Sequence, residues 1–354
     1  MGPGDFHAIV AKADALNELG RWDDALRVVT PVLTAEPEHL GAGVTAGVCL
    51  LNTGRAMEAR EVLQRVALAH PRASDPLRLL SYAAVQLRES GTAVECARQA
   101  VELSPWSVDT HIQLSVALTS ARDRPAAVAA ARRAVEIAPA SAAAHLALAD
   151  ALFPEGAKPS EAELAEAEHH VREALVLAPG NAIAHNELGR IAMARGQHFA
   201  AASALTSAVV SDPRQQVALA NISMVFGQLV FRAHYVVFVL WLVSRFTVTS
   251  TTVERSALWV LEAVGLAVLA WTVLRLRTAA RGRTRGLLRD FARRDPLGAA
   301  WGGSLAVGGS AFLLMGITPD PVTRALVPFV GACLVVGMVL SWIRVRWFAK
   351  RRQR

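Results

Sequence analysis

The chain has 354 residues, 53% of them hydrophobic, with three cysteines and a formal charge of +7. That length admits two or three domains, and a mean hydropathy of +0.32 is high for a chain wholly in water, so part of it is expected in lipid. Cys49, Cys96 and Cys333 are widely spaced and form no CxxC pair, which excludes a disulfide framework and a cysteine zinc site.

From the N-terminus, Met1-Gly-Pro-Gly-Asp runs directly into helical sequence without a signal-peptide pattern, so none is expected. Prolines then mark a period: Pro37, Pro71, Pro105, Pro139, Pro179 and Pro213 are separated by 34, 34, 34, 40 and 34 residues. A fixed period of this size announces stacked helix pairs. Small residues recur at fixed offsets before each proline, first Ala25, Ala59, Ala93, Ala127, Ala167 and Ala201, then Val32, Val66, Ala100, Ala134, Ala174 and Ala208. Such residues let antiparallel helices approach closely, and the proline, lacking an N–H, stops the second helix. Gly20, Gly54 and Gly196 stand at the turn within a pair, where Arg88 and Arg122 replace glycine and obscure the helix boundaries. The 40-residue interval predicts a lengthened turn at 153–160, which contains Pro154, Gly156 and Pro159.

These residues carry a family resemblance. The chain resembles the tetratricopeptide repeat (TPR) family, and the match is best where His185-Asn-Glu-Leu188-Gly189-Arg-Ile-Ala192 leads through Gly196 to Ala201, Leu205, Ala208 and Pro213. The resemblance implies an all-α superhelical solenoid of about six helix pairs over 6–213, and a groove lined by first helices that receives a protein partner. Asp75, Asp109, Gln113 and Glu187 are the polar candidates in that groove. His7, Ala11, Gly41, Thr45, Asp75 and Leu79 stand where one subgroup uses lysine and asparagine to clamp acidic C-termini, so an apolar or basic segment is the expected partner instead.

After Pro213 the hydropathy changes character. Residues 214–232 read as a capping helix, followed by four stretches near the ~20 residues that a bilayer requires: about 233–250, 256–274, 298–317 and 325–343. Together with the repeats they resemble a membrane-anchored TPR protein of bacterial type. Residues 1–215 hold 19 of the 37 basic and 25 of the 30 acidic residues, a net of −6, which leaves +13 for 216–354. The positive charge concentrates in Arg275, Arg277, Arg281, Arg283, Arg285, Arg289, Arg293 and Arg294, and in a basic tail: Arg344, Arg346, Lys350, Arg351, Arg352 and Arg354. The positive-inside rule then places both termini in the cytoplasm of a multi-pass protein of the inner (plasma) membrane, with the loop 275–294 near anionic headgroups. Leu287, Leu288 and Phe291 at helical spacing suggest a short interfacial helix within that loop. Trp259, Trp301, Trp342 and Trp347 fall near span ends, as interfacial aromatics do. No nucleic-acid signature accompanies the basic charge, so nucleic acid is not expected as a partner.

Ionisable residues inside spans are candidates for function. Arg245 and Glu262 lie at similar depth and are expected to pair; the alternative makes Glu262 a proton or cation relay. Arg232 and His234 are expected at the inner interface. Gly298, Gly302, Ala306 and Ser310 in one span, and Cys333, Gly337 and Ser341 in another, form small-residue stripes suited to close helix packing, with homo-oligomerisation through them as the alternative.

No GxSxG, HExxH, Walker A or dinucleotide fingerprint appears in a fitting context, so no catalysis and no cofactor is expected. His111, His145 and His185 occupy equivalent positions one repeat apart and cannot converge on one metal, while His169 and His170 are neighbours facing different ways. Neither set is expected to form a site. The reading is a membrane-anchored scaffold, with a transporter or channel component regulated by its repeats as the alternative.

Overall fold

The computed structural model describes residues 3–154, 156, 158–213, 215–249, 255–279, 292–293, 295–315 and 317–352. Sixteen helices and no strand occur among them, and they fall into two compact units, residues 1–179 and 180–354.

The first unit holds five helix pairs: α1 (Pro3–Glu18) with α2 (Trp22–Ala35), α3 (Leu40–Asn52) with α4 (Ala56–Ala69), α5 (Ser74–Gln86) with α6 (Ser90–Leu103), α7 (Val108–Ser120) with α8 (Arg124–Ile137), and α9 (Ala142–Leu152) with α10 (Glu161–Leu177). Each second helix ends two residues before its proline. The intervening residue leaves the helical region in the same way each time, with φ between −124° and −140° and ψ between 66° and 88° from Glu36 to Ala178, as steric conflict between helical backbone and a following proline ring favours.

The turn inside the pairs is equally regular. Gly20 and Gly54 have φ of 69° and 77°, and Arg88 and Arg122, which left the boundaries obscure, adopt φ of 62° in the same place. The following amide reaches back to the helix in every case, Arg21 to Leu16, Arg55 to Leu50, Glu89 to Ala84 and Asp123 to Leu118, at 2.8–3.0 Å. This is the bond that closes a helix on a left-handed residue. Packing of the flanking helices therefore holds even arginine in a conformation that glycine enters freely. In the fifth pair α9 and α10 are joined by residues 153–160, and Ser160 opens α10 with a capping box to Glu163.

Between paired helices the core is graded by size. Leu63 of α4 is fully buried, and a Cβ added to Gly47 of α3 would lie 2.7 Å from its Cδ2. The equivalent pairs are Ala13 with Val29, Ser81 with Ala97, Ser115 with Ala131, and Ala149 with Val171, all buried.

The second unit begins with a sixth pair, α11 (Ala182–Ala194) and α12 (His198–Ser211), followed by α13 (Gln216–Thr249), α14 (Arg255–Ala279), α15 (Pro296–Leu314) and α16 (Asp320–Arg352). Gly189 and Leu205 repeat the glycine–leucine match of α3 and α4. The expected capping helix and first span are one unbroken helix, α13, whose 34 residues reach about 50 Å at 1.5 Å per residue. That length serves two cores. Ile222, Val225 and Leu229 pack with Ala192, Ala201 and Leu205 of the sixth pair, while Val237, Phe238 and Trp241 pack on Phe312, Met315, Val330 and Leu334 of α15 and α16.

Among the described residues three helices are long and apolar enough to cross a membrane, over Gln216–Arg245, Pro296–Leu314 and Asp320–Arg344. Four were expected. The remaining stretch falls on α14, a 25-residue helix that carries Glu262 within its apolar run and Arg275 toward its end. Pro328 lies inside α16, which runs to Arg352 and takes in part of the basic tail expected over 346–354. Arg281, Arg283, Arg285, Arg289 and Arg294, and the expected interfacial helix around Leu287, Leu288 and Phe291, lie outside the described residues.

Candidate functional site

In the first unit each first helix packs on the next, α1 on α3, α3 on α5, α5 on α7 and α7 on α9, whereas second helices make no comparable contact with one another. Unequal spacing of this kind curves the row toward its first helices, whose open faces line a groove. On those faces Val44 and Val48, Ile112 and Val116, and Leu146 are half-buried at one-turn spacing, and Tyr82 is 38% exposed. Polar side chains stitch neighbouring first helices: Thr45 donates to Asp14 Oδ1 at 2.6 Å and Gln113 to Ser81 Oγ at 3.0 Å.

The groove candidates separate accordingly. Asp109 is exposed, and Asp75 is exposed and ion-paired with Arg78 at 3.1 Å. Gln113 was expected to face the groove but is buried, because its amide bridges α7 to α5. Glu187, in the second unit, is half-buried against Arg190 at 2.6 Å. Of the candidates in the first unit, Asp75 and Asp109 are thus the exposed carboxylates.

Histidines serve structural bonds that sequence reasoning missed. The Nε2–H groups of His111 and His145 donate to the carbonyls of Pro105 and Pro139, each at 2.9 Å. His145 Nδ1 also lies 3.0 Å from His170 Nδ1, so one member of each expected set meets the other across α9 and α10. The extra residues of the fifth unit hide that register in the sequence. Burial and the neighbouring rings of His145 and His169 hold His170 below the usual histidine range. Among the described residues no group of three or more His, Cys, Asp and Glu is arranged to hold a metal.

In the second unit, Arg245 is exposed near the end of α13 and Glu262 is buried on α14, which packs against α13. The small-residue stripes resolve unevenly. Gly298 is buried, Gly302 half-buried, and Ala306 and Ser310 exposed. Close approach of α15 and α16 falls at Gly308, outside the expected stripe, where a Cβ would lie 2.9 Å from Cys333 Cβ, and at Gly337, within it, where one would lie 2.9 Å from Ser304 Oγ; Ser341 is half-buried. On α15, Trp301, expected at an interface, is buried, with its indole N–H on His234 Nδ1 at 3.3 Å. His234 is buried as well, while Arg232 is exposed. Arg344 is half-buried: its Nε meets Asp295 Oδ2 at 2.5 Å and its Nη2 donates to Ser223 O at 3.1 Å.

Family models described as tetratricopeptide repeat match residues 16–81 and 161–215. The chain carries tetratricopeptide repeats. A TPR protein from Parabacteroides merdae is similar in fold, at 14% identity and a TM-score of 0.53 over 63% of this chain and 85% of that one. A thermophilic TPR protein from Thermus thermophilus, TTC0263, is 22% identical over 54% of this chain and 98% of its own, with a TM-score of 0.47. YrrB, a TPR protein with an unusual peptide-binding site, is 18% identical over 54% and 95%, with a TM-score of 0.36. No curated protein matches the chain. TPR arrays are in general protein-binding scaffolds.

Proposed function

We propose that this chain is a membrane-anchored TPR scaffold, which captures a protein partner in its groove and holds it at the bilayer. One observation carries the reading: TPR units and three helices long and apolar enough to cross a membrane occur in a single chain. The apolar floor with Asp75 and Asp109 suits an apolar or basic segment of the partner. With both termini in the cytoplasm, as the arginine distribution argues, the groove faces cytoplasmic partners and the stretch 275–294 meets anionic headgroups. Arg245 and Glu262 pair within the bilayer in this reading, which lowers the cost of burying either.

Affinity capture with the full chain in mild detergent tests the groove. Val48→Asp and Tyr82→Asp should each deplete the same captured proteins, and an unchanged set would overturn the assignment. A second reading, a regulated transporter or channel component, draws on the burial of Glu262 on α14. Glu262→Gln separates the two, since a scaffold keeps its captured partner and a relay loses flux.

A further inference from the structure

We propose that His145 and His170 form a proton-sensitive clasp that holds the fifth helix pair closed. The clasp occupies the one described pair whose helices are not joined by a tight turn. In the others the turn is three residues long, as at 53–55, whereas residues 153–160 join α9 to α10. At that end α10 is tied to α8, through Glu163 and Arg124 at 2.9 Å. The opposite end, near the start of α9, is where the two histidines meet, with His145 93% buried.

Their hydrogen-bond roles follow from the partners. A carbonyl can only accept, so the bond to Pro139 O requires the proton of His145 on Nε2 and leaves Nδ1 as a lone pair. That lone pair, 3.0 Å from His170 Nδ1, accepts the Nδ1–H of His170. A first extra proton can enter at His170 Nε2 without disturbing this bond. A second must enter at His145 Nδ1, and two N–H groups then face one another with like charge, so the contact opens.

The surroundings set the direction. Glu166, one turn earlier on α10, favours the protonated form, but its carboxylate is engaged by Arg132 of α8 at 2.8 Å. Arg132 itself and His169, with ring centroids of His169 and His170 5.2 Å apart, disfavour it. From α7, which packs on α9, His111 is tied to Pro105 O and Asp109 is exposed. Burial outweighs Glu166 and holds His170 below the ordinary histidine range. A group depressed on folding lends its full stability above its unfolded value, near pH 6.5, and loses it as pH falls through the folded value. Acid therefore loosens the fifth pair ahead of its neighbours.

Hydrogen exchange of the full chain in mild detergent reads this locally, with α3 and α4 as the internal reference that cancels the intrinsic pH dependence of exchange. From about pH 7.5 to 5, across the histidine range, protection of α9 and α10 should fall relative to α3 and α4, by up to about tenfold per pH unit for each proton taken up. His170→Asn should remove that dependence and His169→Asn should keep it. Equal pH dependence in wild type and His170→Asn, or α9 and α10 falling in step with α3 and α4, would overturn the clasp. Ring-nitrogen NMR on the unaltered chain is a second test: His145 must be the Nε2–H tautomer at neutral pH, and the Nδ1–H tautomer refutes the bond. Protection at neutral pH that rises with stoichiometric zinc and falls with chelator would assign the pair to a metal and sink the proton reading.

Discussion

Gly47 and Leu63 allow the graded core to be tested quantitatively. In Gly47→Ala the new Cβ would stand 2.7 Å from Leu63 Cδ2 and 2.9 Å from its Cγ. The Cγ contact matters because this branch point cannot swing away as a chain end can. Overpacking a buried site costs about 1–3 kcal/mol, and alanine returns about 1 kcal/mol of helix propensity. The single variant should therefore lose about 0–2 kcal/mol. Leu63→Val alone removes one methylene, worth about 0.8 kcal/mol or more with the cavity it leaves. Together the two changes recreate the buried Ala13 and Val29 of the first pair, so the double variant should recover at least about 1 kcal/mol over the sum of the singles. The assay is native-state hydrogen exchange of α3 and α4 in the full chain, where each tenfold in protection is about 1.4 kcal/mol. A stabilised Gly47→Ala, or a coupling below about 0.5 kcal/mol, the scatter of independent sites, would refute size matching as the rule of this core.

Arg88→Gly and Arg122→Gly should each stabilise their pair by up to about 1 kcal/mol, since both arginines hold a φ of 62° that costs a side-chain-bearing residue energy and glycine none; unchanged melting of both would count against strain there. Asp295→Asn should destabilise the second unit by about 3–5 kcal/mol by taking the carboxylate from half-buried Arg344. Asp295→Leu combined with Arg344→Met should cost less than Asp295→Asn, and thermal unfolding in detergent compares them. Cys49, fully buried with its thiol pushed up to about 11 by burial and the charges of Asp14 and Asp23, should resist alkylation near pH 8 until the chain is denatured. Rapid labelling of the native chain, mapped by mass spectrometry, would contradict that burial.

Much of the array was legible because its punctuation is local. A proline ends a helix through its own missing N–H and its effect on the residue before it, so the prolines from Pro37 to Pro179 locate the ends of α2, α4, α6, α8 and α10 without reference to any other segment. The lengthened turn at 153–160 was readable for the same reason. The turns at Arg88 and Arg122 were not, because there the backbone conformation is imposed by helices packed on either side rather than chosen by the residue. Glu187 and Gln113 share a repeat position, and only the neighbouring helix decides that Gln113 is buried against Ser81.

By itself the sequence determined the period, the all-α pairing and the apolar character of the C-terminal third, all properties of residues close in the chain. The tertiary structure decided what meets across distance. It matched Gly47 to Leu63 and Gly189 to Leu205, brought His145 to His170 across an insertion, joined the capping segment and first span into α13, and set Arg344 on Asp295, 49 residues away. Those outcomes depend on helix rotation and register, to which local propensity is blind, and on the volume and charge that a neighbouring helix happens to present.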